Sequence, residues 1–108
     1  FFRNRQVLRW KWLSRRSSFL SLTFDDGPSD CLTGDVLTLL KRYSCRATFY
    51  VLGRRVKHYP QRLEQIIGNG HDVGAHSFAH LNAWKHWPMT VCRDIQAGFE
   101  CLPPQEEL

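Results

Sequence analysis

Three short strand-like runs, Phe19–Phe24, Ala47–Leu52 and Asp72–Ala75, the second rich in β-branched and aromatic residues, alternate with segments of helical periodicity. The helical segments are Asp35–Tyr43, Pro60–Ile67 and a last one that Thr90 can cap, carrying Val91, Ile95, Phe99 and Leu102. Turn formers punctuate them: Asp26-Gly27-Pro28, Gly53, Gly68-Asn69-Gly70 and Pro103-Pro104. This β-α-β-α-β-α order predicts an α/β fold with parallel strands joined by right-handed crossovers. Such strands end on a common rim, where α/β folds build their sites. That rim would bring Asp25 and Asp26, after the first strand, close to His76 and His80, after the third. With 108 residues, the chain has room for one small core.

The net charge of +5 is unevenly spread. Arg3, Arg5, Arg9, Lys11, Arg15 and Arg16 lie in the first 16 residues with no acid among them. The rest of the chain holds nine basic and ten acidic side chains, a balance of −1. The basicity belongs to an N-terminal arm, residues 1–18, and argues against nucleic acid as a partner for the body of the protein. Phe1, Phe2, Trp10 and Trp12 are interleaved with these cations. Three readings of the arm stand: contact with a membrane surface through residues 1–16, the stub after a removed anchor, or a solvated linker whose aromatic side chains pack on the domain. No apolar run approaches the 18 residues of a membrane-spanning helix. The chain opens on Phe1 without a signal-peptide pattern, which reads as a removed start or an internal piece of a longer protein.

None of the four cysteines forms a C-x-x-C pair, so neither a zinc ribbon nor a redox motif is expected. Cys45 and Cys92 are expected as buried free thiols.

The chemistry concentrates in two clusters. Asp25-Asp26 follows an apolar strand and precedes a Gly-Pro turn. A turn explains one Asp; two adjacent carboxylates point differently, so one can bind a cation while the other stays free as a base. His76 and His80 stand at i and i+4, a spacing at which two imidazoles can converge on one ion. His58, His71 and His86 have no comparable partner and read as surface or hydrogen-bonding residues. One Asp and two His make three N/O ligands, and open three-ligand sites are catalytic rather than structural.

Thr23-Phe24-Asp25-Asp26-Gly27-Pro28 and His76-Ser77-Phe78-Ala79-His80 resemble the first two motifs of the polysaccharide deacetylases, the NodB-homology domain of carbohydrate esterase family four. Ala47–Gly53 and Gly70–His76 are similar to that family's linking segments. The resemblance runs from about Phe19 to Leu102. It implies a distorted (β/α) barrel, with Asp25 as catalytic base and Asp26, His76 and His80 as ligands of a divalent metal, zinc first and cobalt or others next. The implied reaction is removal of acetyl groups from the N-acetylated sugars of a glycan, and the implied compartment is the cell envelope or the extracellular space.

The family's later motifs supply an Arg that orients the base, an oxyanion donor, an acidic-Trp segment and a His acting as general acid. None is seen before the chain reaches Pro103-Pro104-Gln105-Glu106-Glu107-Leu108. Residues 19–108 are therefore expected to form the N-terminal part of the barrel, with open sheet edges that favour self-association. Three functions follow: a deacetylase incomplete in this chain, a metal-binding remnant without activity, or a docking module that works through the arm.

Overall fold

A computed structural model describes residues 20–104 of the chain. The basic arm lies outside the described residues, as does Phe19. The elements run β1 (Leu22–Gly27), α1 (Cys31–Arg42), β2 (Ala47–Val51), α2 (Gly53–His58), α3 (Pro60–Gly68), β3 (Asp72–Ala75) and α4 (Pro88–Glu100). The three strands form a parallel sheet in the order β1-β2-β3, as the alternation predicts.

Period-two burial organises the central strand. Ala47, Phe49 and Val51 face inward, while Tyr50 is exposed on the other face. The inward residues pack with Leu37 and Leu40 of α1, Val56 of α2, and Leu63 and Ile66 of α3. Phe24 of β1 stacks on Phe49 with ring centroids 5.1 Å apart. The core thus lies between the sheet and its three preceding helices.

At the N-terminal end of the sheet, the buried His71 imidazole accepts the Ala47 N–H at Nδ1, 3.2 Å. This residue is hydrogen-bonded but not on the surface. Burial first, then the Arg46 guanidinium, hold its pKa below the ordinary histidine value, with Asp72 acting in the opposite direction.

Several boundaries differ from expectation. The first strand does not stop before Asp25. Its ladder with β2 continues through Asp25↔Tyr50 to Gly27↔Val51, with a register irregularity at Asp26. Helix α1 starts at Cys31 rather than Asp35. Ser29 and Thr33 secure that start by exchanging backbone-to-side-chain hydrogen bonds, Ser29 N to Thr33 Oγ1 at 2.8 Å and Thr33 N to Ser29 Oγ at 3.2 Å. Helix α2 has no counterpart in the sequence reading, because its six residues are too few to establish a period. Helix α4 starts at Pro88, which suits a first helical position, so Thr90 lies inside the helix instead of capping it.

The apolar stripe of α4 is also rotated. Val91, Asp94, Ala97, Gly98 and Cys101 are the less exposed residues, whereas Ile95 and Phe99 are 44% and 60% exposed. Cys45 and Cys92 are exposed as well. Cys45 follows the turn after α1, between Ser44 and Arg46, and Cys92 lies on α4 between Val91 and Arg93, so a polar neighbour adjoins each thiol.

A candidate metal centre at the C-terminal rim

Asp26 stands near the end of β1 and His76 follows β3, so the two candidate ligands come from the outer strands, with β2 between them. Neighbouring strands stand about 4.8 Å apart, which separates the two backbones by roughly 10 Å. The side chains close that gap over the end of β2. His76 Nε2 lies 3.5 Å from Asp26 Oδ1, and His80 Nε2 lies 3.7 Å from the same oxygen. The His76 and His80 ring centroids are 5.2 Å apart. One donor atom from each of the three residues falls within 4.8 Å of the others.

These separations are too long for good N–H···O hydrogen bonds. Around a shared cation with metal–ligand bonds of about 2.0–2.2 Å, tetrahedral donors stand roughly 3.3–3.6 Å apart, close to the two Asp–His separations. Side-chain exposures of 61% for Asp26, 36% for His76 and 57% for His80 leave the centre open toward solvent. The donor set, one carboxylate and two imidazoles with open positions, fits a divalent ion of the zinc or cobalt type.

Backbone strain marks the same residues. Asp26 and His80 have φ of 66° and 54°, and Ser77 has 66°. Such left-handed conformations are costly for residues other than glycine and cluster where function requires them. At Asp26 the conformation coincides with the register irregularity, and bulges of this kind re-aim side chains beside active sites. Asp25, one position earlier, keeps its register with Tyr50 and is exposed. It stands outside the three-donor cluster and lines a cleft of about 290 Å³ together with Asp26, Ser29 and Arg55.

The loop that carries the histidines is held from two sides. His76 N–H donates to Val51 O at 2.9 Å, Gly53 N–H to Ser77 O at 2.9 Å, and Arg54 N–H to Phe78 O at 3.1 Å. From α4, Asp94 O accepts Phe78 N–H at 3.0 Å, and the Asp94 carboxylate accepts Ala79 N–H. His80 N–H donates to Ser77 Oγ at 3.0 Å.

Sequence comparison matches residues 14–102 to the family described as polysaccharide deacetylase. The chain belongs to the polysaccharide deacetylase family. It is 48% identical over 61 residues to the peptidoglycan-N-acetylmuramic acid deacetylase PdaC of Bacillus subtilis, covering 56% of this chain and 13% of that protein. A peptidoglycan-N-acetylglucosamine deacetylase of Bacillus cereus is 42% identical over 79 residues, covering 73% of this chain and 37% of the relative. Among solved structures, peptidoglycan deacetylase PdaC from Bacillus subtilis superposes with a TM-score of 0.71 at 37% identity, over 75% of this chain and 40% of that one. The chain thus spans well under half the length of these relatives. Its three-stranded parallel sheet is part of the deacetylase barrel fold.

Asp26, His76 and His80, expected as ligands, converge; Asp25, expected as the base, adjoins them. His58 and His86 are exposed, and His86 Nδ1 contacts Asn82 O at 3.0 Å. The sequence reading missed Asp94 and Gly98. A Cβ on Gly98 would fall 2.4 Å from the Ser77 carbonyl carbon, so glycine is what lets α4 approach the loop. The signal was the pattern 91-94-98, a helical stripe in which a carboxylate and a glycine interrupt apolar residues.

Proposed function

We propose that this chain carries the metal-binding and base-bearing part of a hydrolase that removes acetyl groups from N-acetylated sugars of a polysaccharide. The convergence of Asp26, His76 and His80 at the C-terminal rim supports this reading most strongly. The names of the relatives, which are peptidoglycan deacetylases, favour a cell-wall glycan as substrate and the cell envelope as the place of action.

Asp26 Oδ1 and the two Nε2 atoms are the protein ligands. A divalent cation bound there would supply Lewis acidity toward an acetyl carbonyl and lower the pKa of water. Asp25 is the general base. Its carboxylate is exposed beside the centre and takes the proton of the attacking water, while Asp26 is committed to the cation. The division of labour between the two carboxylates follows from the bulge. Asp25 stays in the regular ladder, and Asp26 leaves it to join the histidines.

The test is acetate release from an N-acetylglucosamine oligomer by the protein that carries this chain. Asp25→Asn is expected to lower turnover by about two to four orders of magnitude while the metal content is retained. Wild-type turnover in Asp25→Asn would remove the base from this reading. Loss of the metal in that variant would reverse the roles of the two carboxylates.

A further inference from the structure

We propose that Asp94 is a positioning residue for the candidate metal centre, its carboxylate fixing the backbone that aims His80. The inference deepens the proposed function and rests on the metal-centre reading.

The chain turns sharply between Ser77 and His80, and His80 comes to face Asp26. Two left-handed residues, Ser77 and His80, make that turn, and neither is a glycine. Such a loop persists when its surroundings over-determine it. The two residues between them are held by one residue of α4, through its backbone carbonyl and its carboxylate. Phe78 N–H donates to the Asp94 carbonyl at 3.0 Å. Ala79 N–H donates to both oxygens of the Asp94 carboxylate, at 3.1 and 3.2 Å. The Ala79 N–H lies in the Phe78–Ala79 peptide, the one before the peptide that enters His80, so this hold fixes the backbone that leads into His80.

Helix α4 is brought to this distance by Gly98, one turn on from Asp94, whose missing side chain admits the Ser77 peptide. Among the described residues no cation pairs with the Asp94 carboxylate. Its partners are backbone amides, and an ionised acceptor makes the stronger bond to an amide. A partly buried carboxylate on the inward stripe of a helix is otherwise an unfavourable choice for packing. Here it completes the backbone hydrogen bonding of a ligand-bearing loop, the part that outer-sphere groups play around metal ligands.

The experiment uses the full 108-residue chain, Co²⁺ as probe, and amide hydrogen exchange read by NMR. The Ala79 amide is expected to exchange slowly in the wild type and fast in Asp94→Ala, with the far-UV circular dichroism preserved. In Asp94→Ala the Co²⁺ dissociation constant is expected to rise about 10–100-fold, with an altered visible absorption band. Asp94→Asn keeps an oxygen acceptor for Ala79 N–H and is expected to stay close to wild type in all three readouts. A fast-exchanging Ala79 in the wild type would overturn the proposal. So would unchanged Co²⁺ affinity and absorption in a folded Asp94→Ala. If Asp94→Ala does not fold, Asp94→Asn decides: a loss of Co²⁺ affinity with Ala79 still protected would assign the effect to charge and overturn positioning. A wild-type chain that protects Ala79 yet binds no Co²⁺ would overturn the metal-centre reading and, with it, the role given to Asp94.

Discussion

At the scale of single residues, the centre is built from side chains whose backbones are unfavourable for them. His80 sits at φ 54°, a region that costs an L-residue about 1–2 kcal/mol and glycine almost nothing. Removing the imidazole by His80→Ala keeps that cost, whereas His80→Gly removes it. In metal-free protein, His80→Gly is therefore expected to be more stable than His80→Ala by about 1 kcal/mol in denaturant titrations. Equal stability, or an advantage for alanine, would show that the left-handed turn stores no strain for the ligand. The ligand types were legible in the sequence because Asp-Asp and His-x-x-x-His are local patterns. The conformation that makes them converge was not, since Asp26 becomes a bulge only when β1 pairs with β2.

At the scale of elements, strand positions were more legible than helix faces. Ala47–Val51 and Asp72–Ala75 match the sequence reading closely, the first because it is a β-branched and aromatic run ending at Gly53, the second because the Gly68-Asn69-Gly70 stop precedes it. Helix α4 was placed but turned wrongly. Its apolar residues Ile95 and Phe99 suggest one stripe, but tertiary contact with the 76–80 loop selects another, through Asp94 and Gly98. Hydrophobic periodicity cannot see a helix face chosen by a carboxylate and a glycine. Gly98→Ala tests the packing half of this statement. The added methyl would meet the Ser77 backbone at 2.4–2.8 Å, and backbone yields less readily than a side-chain tip. A loss of about 1–3 kcal/mol in stability is expected, the usual cost of overpacking, with weaker metal binding as the loop shifts. A Gly98→Ala chain with unchanged thermal midpoint and metal affinity would contradict the close approach.

At the scale of the whole molecule, the sheet separates stability from chemistry. His71 lies at the N-terminal end of the strands and the candidate metal centre at the C-terminal rim. Because its folded pKa is depressed, folded His71 gains a proton at lower pH than the histidine of the unfolded chain. Above about pH 6.5 both states are neutral and this contribution is intact; as pH falls from there toward the folded pKa, the unfolded chain binds the proton first and stability declines. Denaturation midpoints measured from about pH 7 down to pH 5 are expected to fall less steeply in His71→Gln, which cannot titrate. An identical slope in wild type and variant would remove His71 from the acid response. The central claim is that Asp26, His76 and His80 form one cation site, and it is tested most directly by metal analysis of the 108-residue chain after equilibration with zinc and dialysis. One ion per wild-type chain is expected. The ion should be lost in the His76→Ala/His80→Ala double variant and greatly depleted in Asp26→Asn, which tolerates the left-handed backbone while removing the charge. Wild-type occupancy retained in the double variant would contradict the site.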